Sequence, residues 1–518
     1  MAHIQSGGCM MFPIKVDKLK QNPVFISILK WFFIAQIFFG VALSFWILFE
    51  NQPKTGDDVE HLHSAWLVSQ GKIPYKDFFQ HHNPLLWYMF APVMQFFAYD
   101  IIVFDVVRIF STLMLFLNLF YVGLIVKRFM VSNSVAALIG IASVFPSYVI
   151  YSGQDFRPDN YMILTFTIAL YYFLSYIEDK RLKDLVISFF MFTVSFFFMQ
   201  KNVFTLVVVI AVIVYLLSTH KMPLPHFAKA VIIPLLMVLS FVLWLYHHDL
   251  FKTYWMSNYI FNLYIPDVYG NLVEQTHEEF YVVLGFAFLG FIYFAIYGNL
   301  AQRVVCLLWL LEVVQRLFYF SIDRHYYYQL QTFNAILAGS ALWIIVKKYN
   351  FASLIIVILS LVGCYTFCLY CQKLKIAPGY HRYVTPKYVL EQTNRCDSVI
   401  NGAGITYGIF SKDVTYYWNL NGQLDVIGNK LGIAPLPDLN KAIRENLPKI
   451  IYTRPYWHEK LRQQKRKVHV HLVEDSLRDT YYEQSIFVGV HILKQEYQDK
   501  RRCRYDAKTK SWNYYEVK

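Results

Sequence analysis

Two adjacent carboxylates, Asp57 and Asp58, follow directly after the first long apolar segment of the chain. Neighbouring carboxylates repel each other, which raises the pKa of one of them and favours its use as a general base. At the end of an apolar segment, such a base can face a cavity at a membrane surface. The plainer alternative is a solvated helix N-terminus capped by these acids, since a helical pattern follows them. Composition alone leaves both interpretations open.

The loop that begins with the acidic pair stays polar as far as Pro84 and is rich in histidine. Glu60 and His61 follow the two acids, and the loop ends in His81, His82 and Asn83. Histidine pairs of this kind can bind a metal, but loop histidines more often do not. We therefore predict no metal ligand here. No cofactor is certain from the sequence, although a divalent cation stays open.

Three further loops place cations beside acids, amides and aromatic groups at the ends of apolar segments. They carry Asp155, Arg157 and Asp159, then a lone Lys201, and finally Arg324, His325, Tyr327 and Gln329. Arginine suits bidentate contact with phosphate, and a lysine at the membrane surface favours an anion such as a lipid phosphate. The alternatives are an Arg–Asp pair that caps the next helix, a snorkelling lysine and an interfacial aromatic belt.

The elements that hold these loops are predicted to be membrane-spanning helices. The 518 residues are 56% hydrophobic and only 16% charged, whereas a soluble domain carries about 25% charged residues. Apolar runs of roughly 18 residues or more predict spans. Eleven are expected, near 31–49, 102–126, 133–151, 160–177, 185–199, 203–218, 230–247, 281–298, 304–320, 330–346 and 351–371. The shorter stretch Pro84–Tyr99 fits an interfacial helix.

The distribution of Lys and Arg predicts a cytoplasmic N-terminus. Eleven spans then put the C-terminus outside, which in a bacterial inner membrane means the periplasm. We predict a cytoplasmic segment at 1–30, a transmembrane domain at 31–371 and a periplasmic α/β domain at 372–518. The last region holds 25 Lys and Arg against 15 Asp and Glu. Without a nucleic-acid motif, this charge favours membrane lipids or an anionic substrate over nucleic acid.

The C-terminal region alternates short apolar runs with helical patterns. Strands are predicted at Ser398–Ile400, Lys449–Tyr452, Val468–Val473 and Ile486–Ile492, and a helix at Leu439–Asn446. Cys396 and Cys503 are the only cysteines of this region, and the sequence leaves open whether they pair.

The residues after the acidic pair form a pattern that resembles a known family. Gly71-x-x-Pro-Tyr-x-Asp-Phe-Phe-x-His-His-x-Pro84 is similar to the first external loop of polyprenyl-phosphate-dependent GT-C glycosyltransferases. The bacterial members of that superfamily include relatives of protein O-mannosyltransferases and lipid A aminoarabinose transferases. The resemblance implies a GT-C-like transmembrane domain, a polyprenyl-phosphate sugar donor and an inverting transfer at the external face.

The resemblance also implies roles for the loop residues. Asp57 or Asp58 would be the base, and the sequence leaves the choice open. The donor phosphate would contact Arg157, Lys201, Arg324, His325 and Tyr327. The remaining substrate contacts would come from Glu60, His61, His82, Asp155, Asp159 and Gln329.

The acceptor would be membrane-associated: lipopolysaccharide or lipid A, another glycan, or a protein. A flippase or transporter for lipid-linked sugars is the first alternative, although few charges lie inside the spans, Arg108 and Arg316 being the main ones. An O-antigen polymerase or ligase is the second. A sugar-binding or scaffold protein is the third, and it would tolerate the loss of Asp57.

Overall fold

The structure, a computed structural model, describes thirteen stretches of the chain. They are residues 23–49, 56–130, 133–150, 153–264, 278–318, 328–348, 357, 384–401, 408–416, 438–452, 475–485, 490–506 and 511–516. The predicted span at 351–371 and the predicted strand Val468–Val473 therefore lie outside the described residues, apart from residue 357.

Helices make up most of the described chain up to residue 348. They are α1 (Pro23–Phe49), α2 (Gly56–Ser69), α3 (Leu85–Phe96), α4 (Val103–Phe129), α5 (Ser134–Ile150), α6 (Pro158–Asp179), α7 (Leu182–Phe198), α8 (Val203–Ser218), α9 (Leu224–His247), α10 (Phe251–Trp255), α11 (Glu278–Tyr297), α12 (Leu300–Phe318) and α13 (Tyr328–Lys348). Each of the first ten predicted spans overlaps one of these helices. The short α3, with Pro92 inside it, lies where an interfacial helix was expected.

The protein is a multi-pass membrane protein. Within the described residues, six helices are long and apolar enough to cross a membrane, namely α1, α4, α6, α8, α9 and α13, and three shorter apolar helices accompany them. The helices differ in burial: 89% of the apolar window of α13 lies inside the protein, against 11% for α9. Apolar side chains that are exposed all along a helix are stable only against lipid, so α9 lies at the periphery and α13 at the centre.

A small α/β unit follows the membrane helices. Its strands are β1 (Ser398–Asn401), β2 (Lys412–Asp413), β3 (Ile450–Tyr452), β4 (Tyr482–Gln484), β5 (Val490–Leu493), β6 (Arg501–Asp506) and β7 (Ser511–Glu516). The first five form one sheet in the order β2-β1-β3-β5-β4, in which β1 is parallel to β2 and β3 and the other pairs are antiparallel. The last two form a separate hairpin. The helices are α14 (Val384–Gln392), α15 (Leu439–Asn446), α16 (Asp475–Tyr481) and α17 (Gln495–Gln498).

Local signals explain most of this unit. The helix predicted at Leu439–Asn446 is confirmed, and the Asp438 side chain caps it by accepting the backbone N–H groups of Asn440 and Lys441. The strands predicted at 398–400 and 449–452 are confirmed, and β5 occupies the end of the run predicted at 486–492. Cys396 and Cys503 form a disulfide that ties the start of β1 to the hairpin.

Candidate active site

The two adjacent acids at the start of α2 have different surroundings. Asp58 is buried and accepts a hydrogen bond from Nε of Arg108 at 3.0 Å, a second one from the same guanidinium, and one from the backbone N–H of Phe156 at 2.5 Å. The Asp57 side chain is 34% exposed and pairs with Arg157. Asp58 is therefore held by the scaffold, and Asp57 is the carboxylate that a substrate can reach.

Alternating charges continue from Asp57 across three loops. Arg157 contacts Asp57 with one guanidinium nitrogen, and its Nε lies 3.3 Å from Oδ2 of Asp159. The other oxygen of Asp159 pairs with Lys201. Lys201 is 26% exposed and Arg157 only 5%. The lysine is thus the more accessible cation of this network, and the arginine is held between two acids.

The turn at residues 154–160 has a simple origin in the sequence. Pro158 opens α6 at its first position, and the residue before a proline avoids helical torsion angles. Arg157 accordingly lies in an extended conformation as the N-cap. Asp155 is buried in the same turn, and its carbonyl accepts hydrogen bonds from the Arg157 N–H at 2.9 Å and the Asn160 side chain at 2.6 Å. The turn therefore presents Arg157 to α2, and no side chain caps the start of α6 by a hydrogen bond.

A second polar group lies one turn along α2 from Asp57. Nε2 of His81 is 3.9 Å from a carboxylate oxygen of Glu60, and the ring centroid of His82 is 4.0 Å from that of His81. His61 accepts a hydrogen bond from the Trp87 indole at 3.3 Å. Glu60, His81 and His82 bring one possible ligand atom each to within 4.8 Å of one another. These three residues, which we call the Glu–His–His cluster, can hold a metal ion.

Burial keeps the two loop histidines uncharged. It lowers the pKa of His81 to about 4, although the hydrogen bond to Asn262 acts in the opposite direction. Burial also lowers the pKa of His82 well below its ordinary value, and the nearby rings of His81 and His61 lower it further. Neutral imidazoles keep a nitrogen lone pair, so both rings can accept a hydrogen bond or ligate a cation at neutral pH.

Gln329 joins the site from α13. Its side-chain amide lies 3.1 Å from Oγ1 of Thr205 and 3.5 Å from Oδ1 of Asn202. Thr205 in turn donates to Glu312 at 3.2 Å. A buried polar row thus leads from the Lys201 loop into the helix bundle. The predicted contacts Arg324, His325 and Tyr327 lie outside the described residues.

The C-terminal unit contacts α2 directly. His63 lies with Nδ1 2.8 Å from the Ile409 carbonyl and Nε2 2.7 Å from a carboxylate oxygen of Asp413. The Phe79 N–H donates to the Tyr416 carbonyl at 2.9 Å. Burial raises the pKa of Asp413, and His63 opposes that shift. Residues 408–416 therefore hold both α2 and the loop that follows it.

Sequence reasoning missed several residues of the site. Arg108 was noted only as a charge inside a span, yet it binds Asp58. The others are Asn202, Asn262, Glu312 and Asp413. Their partners lie far away in the chain, and Glu312 sits in an apolar helix where a single acid gives no pattern. An ionisable residue inside a predicted span indicates a functional or structural partner. This was the sequence signal that could have pointed to Arg108 and Glu312.

Comparisons with known proteins show which chains this one is similar to. Residues 81–245 match the family model described as dolichyl-phosphate-mannose-protein mannosyltransferase. No curated protein sequence matches the chain. Among solved structures, ArnT from Cupriavidus metallidurans in the apo state aligns with a TM-score of 0.56 at 11% identity, covering 83% of this chain and 94% of that one. The same protein bound to undecaprenyl phosphate aligns with a TM-score of 0.55 at 11% identity, covering 82% and 94%.

The family model covers His81, His82 and the segment from α3 into α9, and the fold likeness covers 82% of the chain. The resemblance of this chain to the GT-C glycosyltransferases is therefore confirmed, by a family model over residues 81–245 and by a shared fold over 82% of its length.

Proposed function

We propose that the protein is an inverting glycosyltransferase that moves a sugar from a polyprenyl-phosphate donor to a membrane-associated acceptor. The observation that carries the proposal is the pairing of an accessible carboxylate, Asp57, with Arg157 at the end of membrane helices. A base and a phosphate-binding cation in contact suit a reaction in which a hydroxyl loses a proton while a phosphate leaves. The family match over 81–245 and the likeness to ArnT support the same class.

The reaction follows from these groups. Asp57 takes the proton of the acceptor hydroxyl, whose oxygen attacks the anomeric carbon of the sugar from the face opposite the phosphate. The bond between that carbon and the phosphate oxygen breaks, and the polyprenyl phosphate leaves with the electron pair. One base suffices for a single displacement, which inverts the anomeric configuration. Because the leaving group is already a stable anion, it needs cations more than a proton.

Arg157 and Lys201 are the proposed phosphate partners, with Arg324, His325 and Tyr327 as further candidates. In the structure both cations are neutralised by acids. An arriving phosphate would compete with Asp57 for Arg157, because guanidinium binds phosphate bidentately. Donor binding would then free the Asp57 carboxylate, so the base becomes available when the leaving group is in place.

The other residues predicted to contact the substrate differ in how buried their side chains are and in which residues they contact. Asp159 holds Lys201 and Arg157, so we assign it to positioning of the phosphate partners. Asp155 and Gln329 are buried and belong to the walls of the site. Glu60, His61 and His82 remain proposed substrate-side residues. Asp58 supports α2 through Arg108, which leaves Asp57 as the proposed base.

The acceptor and the membrane side are part of the proposal as well. We propose a bacterial inner membrane, with a cytoplasmic segment at 1–30, the transmembrane domain at 31–371 and a periplasmic domain at 372–518. The contact of residues 408–416 with α2 supports a C-terminal domain over the mouth of the site. Its basic surface favours an anionic acceptor such as lipid A or another acidic glycan. A transporter is less favoured, because Arg108 is committed to Asp58 rather than to a transport path.

The test is release of free polyprenyl phosphate by purified protein from a panel of polyprenyl-phosphate sugars, with a membrane glycolipid extract as acceptor. We expect release by the wild type and a loss of about 10²–10⁴-fold in Asp57→Asn, the usual contribution of a general base. Product NMR should show an inverted anomeric centre. Undiminished release by Asp57→Asn, or a retained configuration, would overturn the mechanism. Binding of the lipid donor without release by the wild type, even with acceptor extract, would favour a flippase.

A further inference from the structure

The Glu–His–His cluster brings together one carboxylate and two imidazoles from α2 and the loop that follows it. Glu60 lies on α2, and His81 and His82 lie at the end of the following loop. One ligand-type atom of each lies within 4.8 Å of the other two. Atoms bound to one tetrahedral ion at about 2.1 Å are roughly 3.4 Å apart. Side-chain movements of about 1 Å would therefore close the set around a cation.

The hydrogen bonds around His81 define which of its nitrogens carries the proton. The Asn262 amide nitrogen donates to the carbonyls of His81 and Asn258, both at 2.8 Å. Its oxygen therefore faces Nδ1 of His81, at 2.8 Å. An amide oxygen only accepts, so Nδ1 carries the hydrogen. The lone pair of a neutral ring then lies on Nε2, the nitrogen that faces Glu60.

Two acceptor atoms thus face each other across 3.9 Å, Nε2 of His81 and a carboxylate oxygen of Glu60. The separation is too long for a hydrogen bond, and a cation bound by both atoms would make the arrangement favourable. The Asn262 contact has the form found beside metal-bound histidines, whose second nitrogen donates to an oxygen acceptor. Nδ1 of His82 is buried and has no hydrogen-bond partner among the described residues.

We propose that Glu60, His81 and His82 bind a divalent transition-metal ion whose open coordination position takes a phosphate oxygen of the donor. Two imidazoles and a carboxylate suit Zn²⁺ best and Mn²⁺ second, whereas Mg²⁺ and Ca²⁺ prefer oxygen ligands. Three protein ligands leave at least one position open. The second half of this statement rests on the proposed function, and the first half does not.

The position of the cluster explains what an ion would do there. His82 lies within electrostatic range of both Asp159 and Lys201, the pair assigned above to the donor phosphate. A divalent ion would add two positive charges to a network whose own cations are neutralised by acids. It would thereby stabilise the charge that develops on the leaving phosphate.

Metal retention tests the site without any activity assay. Detergent-purified protein is stripped with a chelator, given Zn²⁺, Mn²⁺ or Mg²⁺ in separate samples, desalted and measured by mass spectrometry of the metal. We expect about one Zn²⁺ per chain in the wild type and in His247→Gln, which removes an exposed histidine at the end of α9. His82→Gln and Glu60→Gln should lose the ion.

Asn262→Ala should weaken Zn²⁺ affinity by about 10–100-fold, as expected for a residue that orients a ligand. This variant keeps all three ligands, so it tests the assignment even where a ligand variant folds poorly. Retention in the ligand variants equal to the wild type, or no retention of Zn²⁺ or Mn²⁺ by the wild type, would overturn the site.

Binding of undecaprenyl phosphate tests the second half. We expect Zn²⁺ to tighten the binding of undecaprenyl phosphate to the wild type about tenfold or more, which is the size of effect expected for one charged phosphate partner. Zn²⁺ should not change the affinity of His82→Gln for this lipid. Equal affinity with and without Zn²⁺ in the wild type would overturn the phosphate role. If no donor reacts in the transfer assay while the protein still retains Zn²⁺, the result counts against the proposed function and not against the metal site.

Discussion

Replacing Asp58 by Asn should destabilise the protein and leave the base in place, which separates the two adjacent acids by experiment. Asp58 and Arg108 are each only 2% exposed, and the carboxylate accepts two guanidinium bonds and one backbone N–H. Removing one partner of such a pair leaves a buried charge uncompensated, which costs about 3–5 kcal/mol. That cost corresponds to a change of roughly 160-fold to 5,000-fold in the folding equilibrium constant.

The assay pairs unfolding with activity. Thermal or denaturant unfolding in detergent should show Asp58→Asn less stable than the wild type by that amount. Asp57→Asn should lose much less stability, because the Asp57 side chain is one-third exposed and its partner Arg157 keeps Asp159. Activity per folded molecule should fall far more in Asp57→Asn. Combining Asp58→Asn with Arg108→Met should recover part of the lost stability, since no lone charge is then left buried.

One result would refute this assignment. If Asp58→Asn is as stable as the wild type and inactive per folded molecule, Asp58 is the base and Asp57 is a partner of Arg157. If the losses of unfolding free energy in Asp58→Asn and Arg108→Met simply add in the double variant, the two side chains are not coupled as the contact implies.

The remaining predictions concern the C-terminal unit. Asp413→Ala should destabilise the contact of this unit with α2 by about 1–3 kcal/mol, because Nε2 of the buried His63 loses its carboxylate partner and alanine offers no replacement; hydrogen exchange of α2 measures the change. Because burial raises the pKa of Asp413, the contribution of its protonated form to wild-type stability is fully present below the ordinary carboxyl pKa and is lost as pH rises through the higher folded pKa. Asp413→Ala removes the carboxyl group and should lack this decrease. Cys503→Ser should lower the unfolding temperature of this unit, the lost disulfide being worth about 2–4 kcal/mol, and reductant should have no effect on the variant. Arg502→Gln and Arg504→Gln, on exposed positions of β6, should weaken use of an anionic acceptor at low salt, and unchanged acceptor affinity there would contradict a role for this charge.

Hydropathy predicted the helices well and the strands poorly. A span must be apolar over its whole length, so ten of the eleven predicted segments overlap helices of the structure. The hairpin strand Arg501–Asp506 carries four charged residues and gave no strand pattern. It exists because the backbone pairs with β7 and a disulfide ties it to β1. β2 has only two residues and is defined entirely by its neighbour β1.

The sequence predicted which residue types occupy the loops of the site, but it did not predict which of these residues contact each other. The sequence placed Arg157 at a helix start, because Pro158 follows it, and the structure has it there as the N-cap. That Arg157 contacts Asp57, a hundred residues earlier in the chain, depends on how the start of α2 meets the turn before α6. The sequence prediction of no metal ligand followed from the general behaviour of loop histidines, and it could not foresee that Glu60 approaches His81 in the folded loop.

The sequence by itself predicted a helical membrane protein, the catalytic class that we propose and the residue types of the candidate site, because apolar length and a local motif are properties of short segments. Tertiary structure alone decided that Asp58 is buried on Arg108 while Asp57 faces outward, that His81 directs a lone pair at Glu60, and that residues 408–416 hold α2. Each of these depends on burial and on contacts between distant segments, and both arise only when the helices pack.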